Sequence, residues 1–208
     1  MALGAALTQA VAKRTLWLVR HAAVLAPPGL CYGRSDVPAD AAATDAAAAT
    51  LAAQLPHAAA LRVSPLGRCQ QLAHALQALR PDLQGETDER LAEMDFGAWE
   101  MRPWAAIARP AFDGWLANFA DACPGGGESV RAFMRRVGAA WDDAMHMPLG
   151  PAGHNGDVVW ITHAGVLRAA RLLHAGMRCP AQAADWPREA APFGAALCLP
   201  VPVPGKVF

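Results

Sequence analysis

The feature that most constrains this chain is a set of three short apolar runs, 15–19 (TLWLV), Ala60–Val63 (ALRV) and Val158–Thr162 (VVWIT), each stopping where polar or glycine residues begin. Unbroken rather than alternating apolarity marks strands buried on both faces, as in parallel sheets. Each run is followed by a stretch of helical character. The segment 44–55 is Ala-rich, 66–79 and 128–145 carry apolar residues at helical spacing, and 166–174 follows the last run. This alternation predicts an α/β fold, a three-layer α/β/α sandwich with a mostly parallel central sheet. A further strand is expected over 195–199, where the neighbouring prolines suit a sheet edge. Proline and glycine at 27–33, 124–127 and 148–156 mark loops.

At 208 residues and 54% hydrophobic content, the sequence predicts one domain over 1–208 with a loose N-terminus at 1–13. Eighteen basic residues balance eighteen acidic ones without a polybasic run, which argues against nucleic acid and anionic membranes as partners and for a small diffusible ligand. The five cysteines, with no CxxC pair, are expected to be reduced thiols of a cytoplasmic protein. No secretory signal and no run of ~18 apolar residues is visible. The oligomeric state stays open at this level.

In open α/β sheets, ligands bind at the carboxyl ends of the strands. Those positions hold Arg20-His21, Ser64-Pro65 leading to Arg68, and Thr162-His163. Two histidines and two arginines converging there suit a phosphoryl group. Imidazole is a competent nucleophile toward phosphorus, and guanidinium groups hold phosphate oxygens while spreading the charge of an in-line transition state. The leaving oxygen needs a proton, for which Glu93, in Arg90-Leu91-Ala92-Glu93-Met94-Asp95-Phe96-Gly97, is the candidate, with Asp95 or Glu100 as alternatives. His57, His74, His146, His154 and His174 show no paired ligand spacing, so neither a metal nor a cofactor is expected.

Five blocks in order, Leu16-Trp17-Leu18-Val19-Arg20-His21, Ser64-Pro65-Leu66-Gly67-Arg68, Leu91-Ala92-Glu93-Met94-Asp95-Phe96-Gly97, Gly126-Gly127-Glu128-Ser129 and Thr162-His163-Ala164-Gly165, give the chain a pattern that resembles the histidine phosphatase superfamily, which includes phosphoglycerate mutases. The resemblance implies a phosphoglycerate mutase-like fold. It implies His21 as the phosphorylated nucleophile, Arg20 and Arg68 as phosphate clamps, His163 with Thr162 as further contacts, and Glu93 as proton donor. It departs from the family at Ala22, where glycine is usual.

The short stretch between Glu93 and His163 favours hydrolysis over mutase chemistry. The segment Leu30-Cys31-Tyr32-Gly33-Arg34-Ser35-Asp36-Val37-Pro38 looks like that of α-ribazole phosphatases of cobalamin synthesis, which implies Arg34 over the phosphate pocket. Other expectations are a mutase-like enzyme, a protein phosphohistidine or phosphoserine phosphatase, and, because of Ala22, a weakly active phosphate-ligand-binding member. The aromatic stretch from Met94 to Trp115 reads as a cap packed on the core, a substrate wall, or both.

Overall fold

The computed structural model describes residues 13–147, 156–189 and 191–202. The expectations for the N-terminus, for His154 and for most of the 148–156 loop therefore lie outside the described residues. Among the described residues, five strands form one sheet: β1 (Lys13–Arg20), β2 (Ala60–Val63), β3 (Gly85–Thr87), β4 (Val158–Thr162) and β5 (Ala196–Pro202), in the order β3-β2-β4-β1-β5. The pairs β1/β4, β2/β4 and β2/β3 are parallel, and β5 runs antiparallel to β1 at the edge. The prolines of β5 are tolerated there because an edge strand has one side without ladder bonds.

Side-chain alternation along the two central strands creates two cores. Leu16, Leu18, Val158 and Trp160 pack against α4 (Val130–His146) and α5 (Ala164–His174). Val19, Val159 and Ile161 face the opposite way, against α1 (Ala41–Gln54) and α2 (Gly67–Leu79). The result is the expected three-layer sandwich with a mostly parallel sheet. Helix α1 starts earlier than its alanine run suggested, because the Asp40 side chain accepts from Ala43 N at 2.8 Å and caps it. Helix α4 starts later, at Val130, with Ser129 as its cap. Strand β3 was not expected. Its three residues are all exposed and carry no apolar pattern, so only pairing with β2 defines it.

The aromatic stretch forms single 3₁₀ turns followed by α3 (Arg109–Ala117). Trp99, Phe112 and Trp115 pack edge to face or stacked on one another, while Phe96 meets Trp104 and Trp115 edge-on. Such pairs contribute about 0.5–1.5 kcal/mol each beyond their burial. Among the described residues, no helix is long and apolar enough to cross a membrane.

Candidate active site

The β1/β4 register places Arg20 opposite Thr162, so the residues that follow, His21 and His163, leave the sheet side by side. His21 N donates to Thr162 O at 3.0 Å, and the two imidazole centroids stand 5.2 Å apart. Strand β2 ends alongside, where Ser64 N donates to Ile161 O, and Arg68 lies in the first turn of α2. Three segments far apart in sequence thus meet because parallel strands all end on one edge.

His21 is almost fully buried, and its Nδ1 lies 2.7 Å from Ala22 O. A carbonyl only accepts, so Nδ1 carries the proton and Nε2 keeps its lone pair. Burial, reinforced by the Arg68 charge, pulls the His21 pKa down to about 3. The imidazole is therefore neutral across the physiological range, as a nucleophile must be. The departure at Ala22 carries no backbone strain: Ala58 and Met101 are the non-glycine residues with positive φ among those described, and the Ala22 methyl is buried.

His163 is fully buried, and its pKa is lowered, chiefly by burial and then by the Arg68 charge. Arg68 Nε donates to its Nδ1 at 3.2 Å, which puts the His163 proton on Nε2, 2.7 Å from Ser64 Oγ. Arg68 also donates to Ser35 O at 2.8 Å and Gly33 O at 2.7 Å. Three of its five N–H groups are thereby spoken for, and the two that remain are available to an anion. Arg20 Nη1 donates to Ala191 O at 2.8 Å, while Nε of Arg20 and Nε of Arg168 are buried without partners among the described residues. Unmet buried donors of this kind are costly unless a ligand meets them.

Glu93 sits opposite, on the segment after a short helical turn at 89–91. Its carboxylate accepts from Gly165 N at 2.9 Å and from Met94 N at 3.0 Å. Three contacts hold that segment. Thr162 Oγ1 donates to Leu91 O at 2.6 Å, Arg136 donates to the carbonyls of Arg90, Ala92 and Glu93, and Glu128 pairs with Arg136 at 2.8 Å while its own N–H donates to Asp95 O. The Gly126-Gly127-Glu128-Ser129 block therefore braces the proton-donor candidate and caps α4. Asp95 accepts from Gly97 N, and Glu100 accepts from the backbone N–H groups of Arg34, Ser35 and Phe96. Of the three candidate acids, Glu93 is the one that lines the cavity described next.

That cavity, of about 370 Å³, is lined at its base by Arg20, His21, Arg68, Glu93 and Arg168. Tyr32, Phe96, Trp104, Trp115, Phe133 and Trp186 form much of its apolar wall. Its floor is polar and its wall aromatic, a combination suited to a phosphate carried by an apolar group. His163 and Thr162 stand just behind the lining, and the exposed Arg34 is not part of it. Several lining residues were missed in the sequence, among them Phe133, Arg168 and Trp186. Arg168 follows His163 by five residues, and its place one turn into α5 was a signal that helical spacing offered. Trp186 lies in an irregular segment and gave none.

The sequence profile of the histidine phosphatase superfamily (branch 1) matches residues 16–186. The chain belongs to the histidine phosphatase superfamily. It is 34% identical over 131 residues to an adenosylcobalamin/alpha-ribazole phosphatase of Salmonella typhimurium, a match covering 59% of this chain and 62% of that protein. A protein of the same name from Salmonella typhi is 31% identical over 169 residues, covering 76% and 79%. The solved mycobacterial glucosyl-3-phosphoglycerate phosphatase superposes with a TM-score of 0.75 at 24% identity, covering 90% of each chain, and so shares the fold of this histidine phosphatase.

Proposed function

We propose that this histidine phosphatase hydrolyses phosphate monoesters of small molecules through a phosphohistidine at His21. The observation that carries the reading is the His21 tautomer: with Nδ1–H committed to Ala22 O, Nε2 is a free, neutral nucleophile in a cavity floored by arginines and Glu93. Nε2 attacks phosphorus, the P–O bond to the leaving group breaks, and Glu93 gives that oxygen its proton. Glu93, now ionised, then takes a proton from the incoming water as it displaces the imidazole and releases phosphate. Arg20, Arg68 and Arg168 hold the phosphoryl oxygens in both steps. His163, with both ring nitrogens engaged, serves by orienting Arg68, and Thr162 by holding the Leu91 carbonyl two residues before Glu93.

Acid-quench trapping tests the mechanism. Wild type is expected to carry acid-labile phosphate, and His21→Ala to lose both the label and turnover. A His21→Ala protein that hydrolyses esters at the wild-type rate would refute it.

The aromatic wall favours an aromatic leaving group, which supports α-ribazole 5′-phosphate as the substrate, in keeping with the names of the Salmonella relatives. Burial at ~25 cal/mol per Å² makes a covered ring worth a few kcal/mol, or about 10²-fold if the gain persists in the transition state. This reading requires kcat/KM for α-ribazole 5′-phosphate to exceed that for 3-phosphoglycerate, and the reverse order would overturn it. Arg34 belongs to this substrate reading as a loop residue that would reach the phosphate on binding; in the free protein it is exposed, outside the cavity lining, and its backbone N–H donates to Glu100.

A further inference from the structure

Just before β5 the chain returns to the nucleophile's own backbone. Gly194 N lies 3.1 Å from both Arg20 O and His21 O, and Arg20 N donates to Ala195 O at 3.1 Å. Gly194 adopts φ +70°, and a Cβ there would stand 2.7 Å from the Ala47 Cβ, so the turn is specified by its glycine. This clamp presents Phe193. The ring is 42% exposed, an unusual state for a phenylalanine held so firmly by its neighbours' backbone. Its centroid lies 3.7 Å from Arg20 Cζ and 5.4 Å from the His21 ring. Phe193 does not line the cavity. Its contacts are with the two groups that, on the reading above, meet the phosphate first.

A guanidinium stacked by its face on an aromatic ring keeps its N–H groups in the plane, free to meet oxygen atoms at its edge. Arg20 has one terminal nitrogen on Ala191 O, the Tyr32 hydroxyl close by and its Nε unpartnered among the described residues, so the ring fixes the plane of the guanidinium while these two groups hold part of its edge. We propose that Phe193 is a positioning residue for phosphoryl transfer, acting through Arg20 by fixing the plane of its guanidinium against the phosphate. This proposal rests on the phosphatase reading. It accounts for an apolar ring kept partly in water, where its own burial stabilises the fold little, but where its π face meets a cation.

The test measures orthovanadate affinity, and KM and kcat on p-nitrophenyl phosphate, for Phe193→Leu, Phe193→Ala, Phe193→Tyr and Phe193→Trp. A partly desolvated cation–π contact predicts that Leu and Ala weaken vanadate binding and raise KM by about 10-fold, while Tyr and Trp stay near wild type. All four are expected to unfold at the wild-type temperature. In an Arg20→Ala background, Phe193→Leu should have no further effect on vanadate binding. Should Phe193→Leu match wild type, rescue as well as Tyr, or add its full effect to Arg20→Ala, the role of Phe193 is overturned. A wild type that neither binds vanadate nor turns over the ester would instead overturn the phosphatase reading, and this proposal with it.

Discussion

Gly165→Ala offers a sharp probe of the proposed proton donor without touching Glu93 itself. A Cβ at residue 165 would stand 2.1 Å from Glu93 Oε1 and 3.0 Å from its Cδ. Carbon and oxygen need roughly 3.3 Å or more, so the carboxyl group must retreat by more than about 1 Å. In retreating it lengthens or loses its 2.9 Å bond from Gly165 N. The fold tolerates this, because the displaced atoms are the end of a side chain and alanine favours helix α5 by up to ~1 kcal/mol over glycine. A misplacement of ~1 Å at a reacting group is worth about 10²-fold, within the 10²- to 10⁴-fold usual for general acid catalysis. Alkyl phosphates, whose leaving oxygen needs the proton, should lose about 10² in kcat/KM. Aryl phosphates should lose no more than a few-fold, and Glu93→Gln should show the same contrast. Steady-state kinetics on one ester of each kind, with thermal unfolding as control, decides the matter. Equal losses on both esters, or full alkyl activity in Gly165→Ala, would falsify the assignment of Glu93 as the acid.

The remaining predictions address pH and the groups that hold the site. His21 has a pKa of about 6.5 unfolded and about 3 folded, so the unfolded chain binds more protons between those values; stability is fully present above pH 6.5 and falls by about 2 kcal/mol from pH 7 to pH 5 on its account. His163, lowered in the same direction, adds to the loss. Denaturant titrations at the two pH values, compared in wild type and His21→Ala, check this, and an unchanged slope with pH in the variant would contradict it. Arg136→Met removes the bonds to three carbonyls and leaves Glu128 unpaired, for an expected cost of about 3 kcal/mol by denaturant melt and an alkyl-selective loss of activity. Arg14→Met, which strips the buried guanidinium from the carbonyls of Ala144, Met145 and Met147 at the end of α4, should cost about 3 kcal/mol while leaving KM unchanged.

The strand-end position of His21 and His163 was legible in the sequence because unbroken apolar runs give away buried parallel strands, and such strands end together on the edge where ligands bind. The same logic reached Ser64 and Arg68, and the acidic block around Glu93 came from the family pattern. Local signals of this kind determine the sandwich and its central strands, and they single out the candidate reacting groups. They say little about edges and irregular segments. Strand β3 is exposed throughout and exists through its pairing with β2. Thr162 sits beside His163 in sequence, yet its hydroxyl turns to Leu91 O instead of the cavity. Only the tertiary structure decided which of Glu93, Asp95 and Glu100 lines the cavity, and it did so through the Gly165 N–H, seventy-two residues away in sequence. Arg168, Trp186 and Phe193 reach the site by the same route. Their roles depend on contacts between segments whose separation along the chain leaves no periodicity to read, whereas a strand or helix writes its pattern into neighbouring residues.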